Sequence, residues 1–180
     1  MNDIAAGSAA FPDDGTMAAW LAPILAARGT TLDAAQIVAR DRLQELALVL
    51  QAFRAARQST LTKIFAPPEV PRGVYLWGGV GRGKSFLMDG FFATVTIRRK
   101  TRVHFHAFMR DVHGDLARLK HEPDPLATVA TRIARRWRLV CFDEFHVSDI
   151  ADAMILGRLL KALFGHGVVF VMTTNYAPDG

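Results

Sequence analysis

The most chemically specific part of the sequence is a glycine-rich segment of eight residues that ends in lysine and serine. Its pattern, G-x-x-x-x-G-K-[ST], is typical of loops that bind nucleotide phosphates, because glycines let successive backbone N–H groups turn towards one point. We expect Lys84 to reach the β- and γ-phosphates and the Ser85 hydroxyl to bind Mg²⁺. A glycine-rich turn with an incidental lysine is the alternative. The segment consists of Gly78, Gly79, Val80, Gly81, Arg82, Gly83, Lys84 and Ser85.

Two carboxylates follow an apolar run at 139–142 that has the composition of a buried strand. An unpaired carboxylate beside a hydrophobic core is costly, so a functional role is favoured at this place. We expect Asp143 to hold Mg²⁺, directly or through water, opposite Ser85, and Glu144 to polarise a water for attack on the γ-phosphate. The alternative is a solvated turn in which both carboxylates only cap the next element.

A polar amide, Asn175, follows another apolar run at 168–173. If both runs are strands of a parallel sheet, Asn175 lies on the same edge as Asp143 and could orient the attacking water. Asparagine is also frequent in turns, and the residues alone leave the two interpretations open.

The rest of the pattern predicts the elements that position these residues. The strands are expected at 74–77, 102–106, 139–142 and 168–173, and the helices at 84–94, 107–120, 125–136 and 149–164. This alternation predicts an α/β fold with a parallel sheet covered on both faces. Upstream, the pattern predicts a short helix over 16–27, broken or kinked at Pro23, and a long helix from Asp33 to about Arg57.

Composition limits the class of protein. The chain has 180 residues, of which 51% are hydrophobic, so it can bury a substantial core, and disordered low-complexity proteins are excluded. The single cysteine, Cys141, excludes a disulfide scaffold. Purely apolar runs reach only about five residues, so no membrane span is expected. The start of the sequence lacks a signal-peptide pattern, and we expect a cytoplasmic protein.

Positive charge is concentrated in residues 61–138, which carry 15 basic and six acidic side chains within a chain of net charge +5. This segment favours anions, either small phosphates or a polyanion. Its two basic clusters, 98–102 and 132–138, fit a solvated face better than a nucleic-acid surface, since no recognition motif accompanies them. His104 and His106, predicted on one face of a strand, fit structural or partner-contact roles better than a metal site.

Taken together, these motifs resemble the ZapE family of cell-division AAA+ ATPases and its mitochondrial relatives. The resemblance covers about residues 16–180 and rests on the segments 73–85, 104–109, 141–145 and 149–154, and on Asp33-Ala34-Ala35-Gln36, which is similar to the D-x-x-Q signature of the family. It implies a three-layer P-loop (AAA+) fold in which the Asn175 strand lies between the phosphate-loop strand and the Asp143 strand. That order places Asn175 beside the γ-phosphate.

The resemblance also implies a function. It implies that hydrolysis of ATP, with Mg²⁺ as cofactor, is coupled to a protein partner, the tubulin-like polymer of the bacterial division ring, by a protein that works as an oligomer. Two other functions stay open at this point, a small-molecule kinase and a non-enzymatic module that docks a nucleotide or DNA. The Asp143–Glu144 pair disfavours the kinase, which has less use for a water-activating glutamate.

Members of the family continue past the end of this sequence with a fifth strand, an arginine finger and a helical lid. The resemblance therefore implies an ATPase core over residues 73–180 that stops after its fourth strand, preceded by a loose segment and helical linker over residues 1–72. We expect such a chain to bind ATP but to hydrolyse it weakly. We also expect the strand at 74–77 to form an apolar edge that favours aggregation.

Overall fold

The computed structural model describes residues 16–58 and 69–178. The expected loose segment at 1–15 and the helix-breaking prolines at 67–68 lie outside the described residues. The elements, in chain order, are α1 (Met17–Arg28), α2 (Ala34–Gln58), β1 (Val74–Trp77), α3 (Lys84–Thr94), β2 (Lys100–His104), α4 (Phe105–Arg118), α5 (Pro125–Arg136), β3 (Leu139–Asp143), α6 (Ile150–Gly165) and β4 (Val169–Thr174).

The four strands form one parallel sheet in the order β1-β4-β3-β2. The predicted parallel α/β sheet is confirmed, and so is the position of β4 between β1 and β3 that the resemblance implies. Because all strands run in the same direction, the carboxyl ends of β1, β3 and β4 meet at one edge of the sheet. The phosphate loop, Glu144 and Asn175 each follow one of these ends, so the fold gathers them at that edge.

Helices cover both faces of the sheet because side chains alternate along each strand. In β3, Leu139 and Cys141 pack with residues of α1, α2 and α3, whereas Val140 and Phe142 pack with residues of α4, α5 and α6. Every residue of β3 is buried, as expected of an inner strand in a parallel sheet. The result is a helix–sheet–helix sandwich of three layers.

Helix α1 runs from Met17 to Arg28 through Pro23, so the expected break at this proline is not observed, whereas a kink there stays a prediction. A proline inside a helix removes one backbone hydrogen bond. Other interactions offset that loss. The Thr16 side chain caps the first turn, Gly29 ends the helix in the left-handed conformation, and Leu21 is buried against the rest of the core.

The second strand ends earlier than its sequence pattern indicated. β2 stops at His104, and α4 begins at Phe105, whose ring is buried against Phe142 and Phe145. Packing of this ring decides the boundary, and the alternating pattern could not show it. His106 therefore lies in a helix, and the prediction that it shares a strand face with His104 is wrong.

Helices α1 and α2 pack against the sheet and α3, with Leu21, Leu43 and Leu50 in the same buried cluster as Leu87. The predicted division of the chain at residue 73 stays a prediction.

Within the described part of the chain, β1 has one strand neighbour, and Trp77 on it is 58% exposed. None of the helices in the described ranges combines the length and the apolar character needed to cross a membrane.

Candidate nucleotide-binding site

The phosphate loop joins β1 to the first turn of α3, the arrangement that its motif requires. Gly81 has a φ of +79° and Gly83, the N-cap of α3, a φ of +77°. These left-handed conformations are costly for any residue with a Cβ, so the glycines permit the turn. The loop borders a cavity of about 340 Å³, and the N-terminus of α3, whose dipole attracts anions, lies at the same place.

Lys84 connects the loop to the sheet. Its Nζ donates to the carbonyl oxygens of Gly78 (2.7 Å) and Gly79 (2.8 Å) and to Oδ1 of Asn175 (2.9 Å). Burial lowers the pKa of the Lys84 ammonium, because its charge is less well solvated there than in water. An anionic phosphate in the cavity would restore a favourable environment for that charge. The contact with Asn175 brings together two residues that are 91 positions apart.

Glu144 lines the same cavity as Ser85 and Lys84. It is the one non-glycine residue with a positive φ in the described ranges, at +54°, a conformation that is uncommon and is often found at functional sites. The end of β4 holds it in place, because its backbone N–H donates to Oγ1 of Thr173 (3.3 Å). Its carboxylate oxygen lies 3.9 Å from Nδ1 of His104, at the end of β2.

Asp143 is held differently from Glu144. Its two carboxylate oxygens accept from Nε (2.6 Å) and Nη2 (3.1 Å) of Arg102, which also pairs with Asp89. Burial alone would lower the pKa of Arg102, but its hydrogen bonds to the two aspartates outweigh this effect and the pKa is raised. Asp143 is absent from the lining of the cavity that Ser85 and Glu144 share.

A capping interaction at the start of α2 supports the loop from the other side. The N–H of Asp33 donates to Oε1 of Gln36 (3.0 Å), and the N–H of Gln36 donates to Oδ1 of Asp33 (2.8 Å). These reciprocal bonds form a capping box, and they leave Nε2 of Gln36 to donate to the carbonyl oxygen of Arg82 (3.2 Å). A Cβ on Gly83 would lie 2.9 Å from that Nε2, so this glycine also permits close approach.

A second cavity of about 650 Å³ adjoins the first, and both are lined by Arg82 and Lys84. Its walls come from the first turns of α2 and from β1, including Tyr75 and Trp77. The two cavities together provide a polar part beside the loop and a larger part with aromatic walls.

The structure therefore brings together most of the residues that the sequence singled out. The glycine-rich loop, Lys84, Ser85, Glu144 and Asn175 share one cavity, and Asp143 lies next to it in a pair with Arg102. Sequence reasoning missed the roles of Gln36 and Arg102. A charged residue within a strand signals that a partner is needed, but which carboxylate it meets depends on the register of β2 and β3.

Histidine and carboxylate residues in the described ranges form no group of three or more that could hold a metal ion. His104 contacts Glu144, and His113 contacts Asp152 through its Nε2 (2.6 Å). The structural or partner-contact role of His104 stays a prediction.

Comparisons with known proteins give the family. A model of the AFG1-like ATPase family matches residues 16–180. The chain is 53% identical over 108 residues to cell division protein ZapE from Escherichia coli K12, and the match covers 60% of this chain and 29% of ZapE. The chain therefore spans less than a third of the length of that relative.

Solved structures give the fold. Domain III of the replication initiation protein DnaA from Thermotoga maritima is similar at a TM-score of 0.53 with 14% identity, covering 95% of this chain and 60% of that one. AMPPCP-bound DnaA from Aquifex aeolicus is similar at 0.51 with 10% identity, covering 95% and 45%. At these identities the likeness shows a P-loop AAA+ fold alone. Because the family model matches nearly all of the residues of this chain, the chain belongs to the AFG1-like ATPase family.

Proposed function

We propose that this chain binds Mg-ATP in the two adjoining cavities and is the nucleotide-hydrolysing part of an ATPase that acts on a protein partner. The contact of 2.9 Å between Nζ of Lys84 and Oδ1 of Asn175 carries the proposal. It joins the phosphate loop to the end of β4, so a γ-phosphate at Lys84 would lie within reach of Asn175 and of Glu144, which lines the same space.

Each residue of this cavity has a chemical task in the proposal. Lys84 and the N–H groups of residues 78–85 bind the phosphates, and Asn175 and Glu144 orient and polarise the attacking water. The hydroxyl of Ser85 and the carboxylate of Asp143 are hard oxygen donors that suit Mg²⁺. The metal would neutralise charge on the phosphates, and Asp143 would reach it through water or by leaving Arg102.

The larger cavity fits the remainder of the nucleotide. It continues from Lys84 and Arg82 towards the start of α2 and carries the aromatic side chains of Tyr75 and Trp77 in its lining. The faces of the planar base are apolar enough to lie against such walls. In this arrangement Gln36, which bonds to the loop at Arg82, couples the entry of the base to the position of the phosphate loop.

Hydrolysis is favoured over transfer of the phosphoryl group to a small molecule. Glu144 is 75% exposed at its side chain and lies beside the cavity, where it can contact a water. A kinase needs a binding place for its acceptor at this position, and the described lining consists of the loop, Glu144 and the end of β4.

The partner and the cellular role are proposed from the relatives. The similar protein of Escherichia coli is named a cell division protein, and we propose a role of the same kind here, in which the nucleotide state of an oligomer remodels a division-ring polymer. A cytoplasmic location, where ATP and such a polymer are available, belongs to the same proposal.

Titration calorimetry with Mg-ATP and a phosphate-release assay test the proposal. We expect Glu144→Gln to bind Mg-ATP as tightly as the unchanged chain and to lose turnover by about 10²-fold or more, because the general base is removed and the cradle stays. Glu122→Gln, an exposed change of the same charge between α4 and α5, is the matched control. Flat isotherms for correctly folded protein, or equal turnover in the two variants, would refute the assignment.

A further inference from the structure

A separate cavity of about 410 Å³ lies at the opposite edge of the sheet, near the amino ends of β2, β3 and β4. Its floor is apolar and its rim is basic. The floor consists of Leu50, Phe53, Ile97 and Val169, and the rim carries the guanidinium groups of Arg54, Arg57, Arg98, Arg99 and Arg138. Three segments that are distant in the sequence supply these arginines, namely the last turns of α2, the segment before β2 and the residue before β3.

Backbone carbonyls orient three of the guanidinium groups. Arg54 donates to the carbonyl oxygen of Thr96 (3.1 Å), Arg99 to that of Ala134 (2.8 Å) and Arg138 to that of His166 (2.6 Å). These bonds fix the groups in place and leave other N–H donors of each guanidinium available, since an arginine carries five.

The charge of the rim is not paired with carboxylates in the part of the chain that the structure describes. In the ranges 16–58 and 69–178, none of the five arginines forms an ion pair with a carboxylate. The ten residues that follow α2 in the sequence, 59–68, contain Lys63 and neither aspartate nor glutamate.

Burial and neighbouring positive charges act on one arginine of the rim. The pKa of Arg138 is lowered by burial and by the positive charges of Arg57 and Arg99. Arg57 lies over the ring of Phe53, with its Cζ 5.5 Å from the ring centroid, so its contact in the described structure is with the floor of the cavity. Arg54, Arg57, Arg98 and Arg99 are exposed, so water screens most of this repulsion, and a bound anion would relieve what remains.

We infer that this cavity binds a small amphipathic oxyanion, a molecule with an apolar body and one phosphate or carboxylate group. The apolar body would lie on Leu50, Phe53 and Val169, and the oxyanion would accept from the rim, since planar guanidinium groups match oxyanions with paired donors. The cavity is separate in space from the proposed nucleotide site, because β3 and β4 lie between the two edges.

The concave shape favours a small ligand over a nucleic acid. Arg132 and Arg135, which belong to the same basic run as Arg138, lie on α5 and are absent from the lining. The arginines of the rim surround an enclosed apolar floor, whereas a duplex needs charges spread over an open surface that can follow its backbone.

Calorimetric titration with three named probes tests the inference. Octyl phosphate and octanoate carry the apolar body and an oxyanion, and inorganic phosphate carries the oxyanion alone. We expect both amphiphiles to bind below their micelle concentrations, and inorganic phosphate to bind at least tenfold more weakly. Arg57→Gln should weaken both amphiphiles about tenfold, the effect of one charge-assisted hydrogen bond. Arg132→Gln, which removes the same charge outside the cavity, should leave their affinity unchanged.

Several outcomes would overturn the inference. Equal weakening by Arg132→Gln would show a general charge effect, and equal affinity for inorganic phosphate would show that the floor has no role. A different result is that random duplex DNA displaces octyl phosphate from the unchanged chain and fails to bind Arg57→Gln. That result would assign the cavity to nucleic acid instead. Arg98→Gln is a second rim variant, and Mg-ATP binding with an unchanged circular dichroism spectrum shows that each variant is folded.

Discussion

The two edges of the sheet both attract anions, but they do so with different groups. At the carboxyl edge, backbone N–H groups of the phosphate loop, the ammonium of Lys84 and Arg82 line the cavity, and Arg102 beside it is paired with Asp143 and Asp89. At the amino edge, five guanidinium groups surround an apolar floor without a carboxylate in the described residues.

The two edges differ in the source of their positive potential and in how that charge is compensated before a ligand binds. The loop gains its positive potential from dipoles that also complete the turn and α3, so little charge is concentrated before a ligand arrives. The rim concentrates full charges, and the pKa of Arg138 is lowered first by burial and then by the positive charges of Arg57 and Arg99. The first site should therefore be stable without ligand, and the second should gain stability when it binds one.

The largest expected effect comes from a change in the phosphate loop, which should weaken the ligand at one edge and leave the ligand at the other edge unaffected. Lys84→Ala removes the ammonium that contacts Gly78, Gly79 and Asn175, and we expect it to weaken Mg-ATP about 100-fold, since charge-assisted hydrogen bonds to phosphate are lost. Binding of octyl phosphate at the other edge should stay unchanged. Both affinities are measured by calorimetry.

Lys161→Ala, an exposed change of the same type on α6, is the control and should alter neither ligand. Loss of octyl phosphate affinity in Lys84→Ala would mean that both ligands use one site, and the comparison of the two edges would fail.

A second prediction compares a paired arginine with an unpaired one. Arg102→Met leaves Asp143, whose side chain is 13% exposed, without its partner, and we expect a loss of about 1–3 kcal/mol in the free energy of unfolding. Arg57→Met removes a charge that repels Arg138 and keeps contact with Phe53, and we expect a change between zero and a gain of about 1 kcal/mol.

Urea denaturation followed by circular dichroism, without nucleotide, measures both values. The two variants lose the same charge and gain the same side chain, so they serve as controls for each other. A similar loss of stability in both would show that the rim arginines are as well compensated as Arg102.

Much of the carboxyl edge could be predicted from the sequence because its signals are local. The loop motif, the apolar run before Asp143 and the cap at Asp33 each occupy a few consecutive residues, and the helix α5 begins at Pro125 as its pattern indicated. The contact between Lys84 and Asn175 required the order of the strands, which came from the resemblance to a family and not from the residues themselves.

The amino edge could not be predicted in this way. The clusters at 98–102 and 132–138 are visible in the sequence, and their charge alone favours a solvated face. Arg54 and Arg57 join them only because α2 packs across the sheet on Leu43 and Leu50, more than 40 residues before β2. The sequence likewise shows that Arg102 needs a partner, but only the register of β2 and β3 places Asp143 beside it.

The last prediction tests whether the two sites are independent, and it uses the thiol between them. Burial raises the pKa of Cys141, on β3, from its ordinary value of 9.0 to about 12, so the folded chain holds almost no thiolate near pH 8. Alkylation by iodoacetamide must then proceed through the unfolded chain, whose thiol ionises near pH 9. The rate should rise about tenfold per pH unit up to pH 8.5. Above pH 9 the unfolded thiol ionises before the folded one, so stability falls and the experiment stays below that value.

Ligands that bind only the folded chain slow this reaction by mass action. At ten times its dissociation constant, Mg-ATP or octyl phosphate should each slow alkylation of Cys141 about tenfold, and both together about a hundredfold if the sites do not interact. If the two ligands compete for one site, the combined effect should be only about twentyfold, because their contributions then add instead of multiplying. A combined effect well above the product of the two single-ligand effects would show positive coupling. Binding at one edge of β3 and β4 would then favour binding at the other.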